Sequence, residues 1–465
     1  MPNSSHPNLL TGSLTKHIIR LSLPMILAML FQTGFSVVDM IFLGMVSPEA
    51  IAAVSIVFPV IFFFVSFAMG IGAGLTSFVA RAFGAGDTEK AGRIAANGLA
   101  LSFVIYVLLV VTGFLFVKPL FILLGAGPDI LDAVLDYCRI IFIGFIFIFL
   151  GAFSNSIIRG EGDTKTPMKF LIIQTAVNFV LDPLFIFGFG PIPAMGVRGA
   201  ALALVISRIV WVTLCVSYFA SGKSQVKPAF RNFRFEWNLL REILRVGIPS
   251  TITFLSSSIG LMLFMKLVSS YGSLAIAAFG IGGRIENIAI LPALGMSGAV
   301  LTIAGQNYGA GNIERTRDTI KYAMLLISIF MISLAVIALS FAGPINMVFT
   351  RDVRVIAIGI GFLFFRAPFW LLMGVRIMIG AGFNGAGKPS VGLLTLLFGL
   401  FVMGLPTSLM LRNVMGLNAV WAGLSIANLT GAAAAYIVYR RYFAASQGTY
   451  RNFEPNKVTY TAPEK

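Results

Sequence analysis

Apolar residues run through this chain in long stretches that are separated by short polar loops. We count twelve stretches long enough to cross a bilayer as a helix, which takes about 20 residues. Transmembrane β-strands are about ten residues long and alternate in polarity, so these stretches predict helices. They cover roughly residues 18–44, 50–80, 92–117, 130–158, 166–190, 197–221, 241–269, 275–306, 314–342, 354–381, 388–411 and 417–440.

The chain also repeats itself at a fixed offset of 225 residues, since FGAGDTEK at 83–90 returns as YGAGNIER at 308–315. RLSLP at 20–24 returns in the same way as RVGIP at 245–249. Each half contains six predicted spans, an even number, so both halves enter the membrane in the same orientation. We therefore expect an all-α polytopic membrane protein with twelve transmembrane helices in two pseudo-symmetric six-helix lobes.

The repeat and the polar interruptions divide the chain into four parts. The first lobe is expected to carry ion coupling, because the acids inside its spans have no acidic counterparts in the second half. Asp39 corresponds to Phe264, and Asp182-Pro183 corresponds to Leu405-Pro406 after a short deletion in the second half. The expected parts are an N-terminal lobe (1–221), a cytoplasmic linker (222–240), a C-terminal lobe (241–441) and a cytoplasmic tail (442–465).

The net charge of +16 indicates membrane orientation, and we expect no nucleic-acid partner. Of the 34 Lys and Arg residues, 23 fall in loops on one side of the predicted topology and five in loops on the other. Such an asymmetry places the basic side in the cytoplasm, and with it both termini. The linker interleaves Phe230, Phe233 and Trp237 with basic residues, which is typical of an interfacial segment.

The repeated Gly-Ala-Gly loops predict helix ends and not a phosphate-binding loop, because they lack the GxxxxGK[ST] spacing and a preceding strand. Glycines in such loops accept positive φ angles. Asp87 and Asn312 follow these loops and are expected to cap the next helix in each half.

Three acids fall well inside predicted spans, and ionisable groups there are costly enough to suggest function. One of them, Asp39, lies late in the first span. Gln32, Ser36 and Asp39 are spaced four and three residues apart, so they share one face of the helix. Pro24 lies upstream, where it removes a backbone hydrogen bond and can bend the helix.

A second acid, Asp182, ends a polar stripe in the fifth span. Gln174, Asn178 and Asp182 recur every four residues, and Asn155 in the fourth span offers another carboxamide. Two carboxylates with amide oxygens could take up a proton, or could bind Na⁺, a hard cation that prefers oxygen ligands. We expect no organic cofactor, and H⁺ or Na⁺ as the coupling ion.

The third acid, Glu286, lies two residues from Arg284, and residues with that spacing do not face each other on a helix. Glu286 is expected to pair with Lys266 or with Arg366. The sequence leaves open whether Glu286 and Arg284 belong to a second functional site or Glu286 only to an ion pair.

The sequence contains no catalytic constellation, so we do not expect an enzyme. Both histidines, His6 and His17, lie near the N-terminus, and no HExxH or GxSxG motif occurs in a suitable setting. Cys138 and Cys215 both fall inside predicted helices, where they are expected to be small buried side chains.

Four segments together resemble the MATE family of multidrug and toxic compound extruders, in its DinF-like prokaryotic branch, over about residues 12–445. They are the first-span run LSLPMILAMLFQTGFSVVDMIFLG, IIRGEGDTKTP at 157–167, NFVLDPLFIFGFG at 178–190, and the paired FGAGD and YGAGN loops. The resemblance implies a V-shaped pair of lobes around a central cavity. It also implies a monomer in a prokaryotic inner membrane, surrounded by lipid, that exports amphipathic, often cationic compounds by proton or Na⁺ antiport.

The resemblance further implies an ion site in the first lobe made of Asp39, Asn155, Asn178 and Asp182. A hydroxyl-bearing position in related proteins corresponds to Leu204 here, and Ser207 lies nearly a turn away as a substitute. This departure favours protons over Na⁺. Acids that the NorM-type branch carries in its second lobe have no clear counterpart, since Arg366 reverses the charge there.

One alternative within the same superfamily is a flippase for lipids or lipid-linked oligosaccharides. It would need a cationic cavity to hold a pyrophosphate, and the intramembrane residues Arg284, Arg366 and Arg376 keep it open.

Overall fold

The computed structural model of the chain describes residues 8–46, 48–123, 128–231 and 233–450. Its twelve apolar helical spans confirm the predicted fold class of a multi-pass helical membrane protein. The last part of the expected tail, 451–465, lies outside the described residues. The helices are α1 (Leu14–Val46), α2 (Pro48–Gly84), α3 (Thr88–Leu123), α4 (Pro128–Gly160), α5 (Lys165–Phe187), α6 (Val197–Ala220), α7 (Trp237–Ser269), α8 (Ser273–Gly309), α9 (Ile313–Ser340), α10 (Ala342–Met347), α11 (Val353–Arg366), α12 (Trp370–Gly385), α13 (Ser390–Leu397), α14 (Leu405–Met415) and α15 (Asn418–Tyr450).

Two spans of the second half are irregular. A 3₁₀ turn over Ala367–Phe369, which contains Pro368, separates α11 from α12 within the tenth span. A π-helical segment over Phe398–Gly404 separates α13 from α14 within the eleventh. π-helical segments are rare in proteins, and those that occur are often found at functional sites. The hydrophobic pattern of the sequence did not indicate either irregularity.

Several helices extend past the predicted spans; α3 continues to Leu123, for example, and α7 begins at Trp237 inside the predicted linker. The fifth span ends at Phe187 and not at 190, because Gly188 follows with φ 78° and Phe189 pairs with Ile192 in a tight turn. The last helix continues to Tyr450, past the predicted end at 440.

Each half begins by packing into the core of the other half. Leu14, Ile18 and Leu21 of α1 are buried among apolar residues of α8–α15. In the same way, Leu240 and Ile243 of α7 are buried among apolar residues of α2–α6. The first helix of each half therefore holds the halves together.

The halves are also joined by hydrogen bonds that follow the internal repeat. Ser77 of α2 donates to the carbonyl oxygen of Asn384 at 2.5 Å, near the end of α12. At the position 225 residues later, Thr302 of α8 donates to the carbonyl of Arg159 at 3.0 Å, near the end of α4. Both carbonyl oxygens also accept from backbone N–H groups of the turns that follow, those of Gly387 and Gly162, at 3.0 Å. Each hydroxyl therefore adds a hydrogen bond that joins the halves.

These contacts lie at one end of the molecule, which we call the basic end: the N-terminal segment from residue 8, the loops at 85–87, 161–164, 310–312 and 386–389, and the linker. The other hydrogen bonds between the halves, within the described part of the chain, lie there as well. Gln306 donates to the carbonyl of Gly160 at 2.9 Å, and Arg315 donates to the carbonyl of Thr11 at 2.8 Å. The basic end is therefore closed.

The repeated glycines have two separate roles at this end. Gly86 and Gly311 both adopt φ 77°, which confirms the predicted turns. Asp87 and Asn312 accept hydrogen bonds from the third residue after them, which confirms the predicted caps. Gly84 and Gly309 instead allow α2 and α8 to cross, because a Cβ at either position would overlap a carbonyl oxygen of the opposite half.

We predict that Gly84→Ala destabilises the protein by about 1–3 kcal/mol, the usual cost of inserting a methyl group into a close contact. Thermal unfolding in detergent measures this. Gly283→Ala on α8 is the matched control, because nothing lies within 4 Å of its Cβ position. Equal melting temperatures for the two variants would contradict the proposed close crossing.

Candidate functional site

Two carboxyl groups meet in the first half. Asp39 on α1 and Asp182 on α5 make a side-chain hydrogen bond to each other. Asp182 is 2% exposed, whereas Asp39 is half-buried. Two carboxyl groups form a hydrogen bond only when one of them carries a proton, so this arrangement can hold a proton between α1 and α5.

The pair continues into a chain of polar groups. Asn178, one helical turn before Asp182 on α5, donates to its carboxyl oxygen at 2.5 Å. Ser207 on α6 lies 3.2 Å from the amide oxygen of Asn178 and also 2.8 Å from the carbonyl of Leu204. The structure thus brings together Asp39, Asp182, Asn178 and Ser207, which we call the acid cluster.

The other predicted residues of this lobe have no described hydrogen bond to the two acids. Asn155 accepts a weak hydrogen bond from the thiol of Cys215 at 3.9 Å. Gln174 is 3% exposed, and its amide oxygen has no partner. Gln32 and Ser36 are exposed, with the Ser36 hydroxyl bonded to the carbonyl of Thr33. Pro24 is buried within the continuous helix α1.

Sequence reasoning missed a tyrosine near the cluster. Tyr137 of α4 is 6% exposed and lies within electrostatic range of both Asp39 and Asp182. The only signal in the sequence was a polar side chain inside a predicted span, and the sequence contains many of these.

The corresponding region of the second half has no acids. Phe264, at the position of Asp39, is 1% exposed and belongs to the apolar core. Glu286 of α8 instead forms an ion pair with Arg366 at the end of α11. This is one of the two partners expected for it, and Arg284 is exposed.

Arg366 is only 4% exposed, and its Nε and Nη1 atoms have no partner. A buried guanidinium with one carboxylate partner is costly. The pair joins α8 to the last residue of α11, directly before the 3₁₀ break in the tenth span, and loss of either partner would leave a buried charge.

A buried acid at the basic end was also missed. Glu161, in the loop after α4, accepts hydrogen bonds from the Ser224 hydroxyl at 2.8 Å and from the backbone N–H groups of Gln225 at 2.8 Å and Val226 at 2.9 Å. It lies in the IIRGEGDTKTP segment, but spacing gave no reason to expect a partner 63–65 residues away. Burial raises the pKa of Glu161 to about 7, against the lowering effect of these hydrogen bonds.

Comparison with known proteins identifies the same fold and the same repeat. The sequence profile of the MatE family matches residues 24–184 and 249–410, one segment in each half. The chain is 28% identical over 437 residues to a protein of Shewanella oneidensis named FAD transporter, which covers 93% of this chain and 96% of that protein. It is also 28% identical to the probable multidrug resistance protein YoeA of Bacillus subtilis, covering 86% of this chain and 88% of that protein.

Solved structures agree over nearly the whole length. A structure described as the outward-facing conformation of a multidrug resistance MATE family transporter of the MOP superfamily superposes with a TM-score of 0.90 at 30% identity. The superposition covers 96% of this chain and 100% of the chain in that structure. Two further MATE structures, described as straight and bent conformations, both superpose with a TM-score of 0.89 at 30% identity over 95% of this chain and 98% of each.

We predict that Glu161 makes the stability of the protein depend on pH. Its folded pKa of about 7 exceeds the ordinary value of 4.5, so the folded state binds the proton more tightly. Stability therefore falls as the pH rises from about 4.5 to 7, by at most on the order of 3 kcal/mol. Thermal unfolding of wild type and Glu161→Gln across this range measures the effect.

Glu161→Gln should remove this pH dependence, because the amide does not titrate. Glu236→Gln is the control, since the carboxylate of Glu236 pairs with Arg93 at a half-exposed position. The same slope in Glu161→Gln and in wild type would contradict the assignment.

We predict that Glu286→Gln destabilises the protein by about 3 kcal/mol, because Arg366 is then buried without a counter-charge. The double variant Glu286→Leu with Arg366→Leu should recover most of the loss. Unfolding in detergent measures both, with Glu242→Gln as control because its pair with Arg245 is exposed.

Transport by the double variant then separates the two interpretations of Glu286. If the double variant is stable and transports normally, the Glu286–Arg366 pair has only a structural role. A stable protein without transport would assign the pair to a second functional site.

Proposed function

Because the chain belongs to the MatE family of membrane transporters, we propose that it is a cation-coupled multidrug efflux antiporter. Its substrates are small amphipathic, often cationic compounds, and the naming of YoeA as a probable multidrug resistance protein supports efflux of drugs. The basic end faces the cytoplasm of a prokaryote, as the distribution of Lys and Arg predicts. The protein acts as a monomer in the inner membrane, with both termini cytoplasmic.

The observation that carries the proposal is the acid cluster. Asp39 and Asp182 come from different helices and share a hydrogen bond, so protonation of the pair changes how α1 is held against α5. Burial of such a pair away from water makes its charge state energetically important. Asn178 and Ser207 extend the site and supply oxygen atoms, so Na⁺ is the alternative ion at the same place.

The transport cycle follows from the closed basic end. With that end in the cytoplasm, the structure corresponds to an outward-facing state, as in the superposed relative. Binding of the ion at the acid cluster and binding of substrate favour different states, which is the condition for coupling. Bending of α1 at Pro24 releases substrate outward, because a proline within a helix removes a backbone hydrogen bond and permits a bend there. Related proteins have been solved in straight and bent conformations.

A second candidate function is transport of an anionic substrate by the same fold. The relative named FAD transporter favours it, because FAD carries a diphosphate. The flippase alternative needs several free cations in one cavity. Arg366 is paired with Glu286, and Arg376 packs against Gly431 on α15, which leaves Arg284 as the exposed cation among the three residues named for that alternative.

We predict that everted vesicles containing the protein take up a fluorescent cationic dye when a pH gradient is imposed. Asp39→Asn should lower the initial rate at least about tenfold, since the pair can no longer exchange its proton. Asp132→Asn is the matched control, because Asp132 is an exposed acid on α4. Pro24→Ala tests the bending step in the same assay.

A Na⁺ gradient imposed alone distinguishes Na⁺ coupling from proton coupling. If only Na⁺ drove uptake, the acid cluster would remain the proposed ion site and Na⁺ would be the coupling ion. Full transport by Asp39→Asn would contradict the site, and full transport by Pro24→Ala would contradict the bending step. Movement of FAD and not of dye would favour the second candidate.

A further inference from the structure

Part of the linker combines exposed aromatic and basic side chains. Within residues 227–237, which we call the linker strip, the aromatic residues Phe230, Phe233, Phe235 and Trp237 are 58%, 40%, 53% and 67% exposed. The basic residues Lys227, Arg231 and Arg234 are exposed between them. Four large aromatic side chains in water within eight residues are unfavourable, so the strip requires a partner.

The backbone of the strip is fixed on both sides, so these side chains cannot turn inward together. Before the strip, Glu161 holds the backbone N–H groups of Gln225 and Val226. Within it, Ala229 donates to the carbonyl of Gly92 at 3.1 Å. At its end, Asn97 of α3 donates to the carbonyl of Arg234 at 3.2 Å and accepts from the N–H of Glu236 at 2.9 Å.

The position of the strip identifies the partner. It leads directly into α7, whose first residue is Trp237, so it lies at the boundary between a transmembrane helix and its basic flank. Tryptophan at that depth is typical of the membrane interface. Basic residues immediately beside a transmembrane helix are attracted to anionic lipid, whose surface potential extends about a Debye length.

We propose that the linker strip binds the headgroups of anionic phospholipids in the adjacent leaflet. The aromatic rings enter the interface, while Lys227, Arg231 and Arg234 contact phosphate. Glu236 does not oppose this, because its carboxylate pairs with Arg93. The inference rests on exposure and charge, and does not depend on the substrate or on the coupling ion.

The test uses the full-length protein purified in a neutral detergent. Mixed micelles that contain phosphatidylglycerol or phosphatidylcholine are the probes, and native mass spectrometry counts the retained lipids. We expect wild type to retain phosphatidylglycerol preferentially, and less of it as the ionic strength rises. The triple variant Lys227→Gln, Arg231→Gln and Arg234→Gln should lose at least about tenfold in that preference.

The matched control removes three positive charges from the opposite end of the helices, at the exposed residues Lys118, Arg351 and Arg412, and should keep the preference. Trp237 gives an independent signal. Trp211, Trp370 and Trp421 are at most 5% exposed, so the emission that Trp237→Phe removes reports on the strip. That emission should shift to the blue with phosphatidylglycerol and not with phosphatidylcholine.

Three results would overturn the proposal. The first is equal retention of the two lipids by wild type, and the second is an equal loss of lipid preference in the control variant. The third is dimerisation of the protein through the strip, shown by a dimer that Phe233→Ser abolishes. A transport-inactive protein that still shows the lipid preference would count against the proposed function alone.

Discussion

The structure depends on how two helix ends satisfy their carbonyl groups at the basic end. The last carbonyls of α4 and α12, those of Gly160 and Gly385, accept hydrogen bonds from the Gln306 amide and the Ser77 hydroxyl of the opposite half. In a low-dielectric environment such groups are costly when left unpaired. The closed state therefore has specific partners at this end, on helix ends that the internal repeat relates. An opening of the basic end must hydrate these groups or provide new partners.

The same repeat makes the asymmetry of the two halves informative. Both halves have the crossing glycines and the same caps, so gene duplication preserved the scaffold. Around Asp182, however, the first half has a regular helix with a polar stripe. In the equivalent segment of the second half, a π-helical stretch ends at Gly404, directly before Leu405. The two halves thus differ at this position both in polarity and in helix geometry.

The sequence predicted those features that are local or periodic. Apolar length predicted twelve spans, and spacing of four placed Asn178 next to Asp182 on one helix face. Spacing could not predict contacts between distant segments, such as Glu161 with residues 224–226, because nothing in either segment specifies the other. It offered two partners for Glu286, and only tertiary packing selected Arg366. The end of α5 was misplaced because the apolar run continues past Gly188, where the backbone leaves the helix.

Helix α1 gives the proposed cycle its physical connection. Its first turns, around Ile18, are buried in the core of the second half, and Asp39 lies near its other end beside α5 of the first half. These two positions are about 30 Å apart along one helix, at about 1.5 Å per residue. Pro24 lies between these two positions. If α1 stays straight at Pro24, a movement of the Asp39 end displaces the whole helix, including the part packed at the basic end. A helix that bends at Pro24 instead moves its outer part alone, and the two halves remain joined while the substrate leaves. In the proposed cycle, a bend at Pro24 lets protonation release the substrate before the basic end opens, and antiport would require such a fixed order.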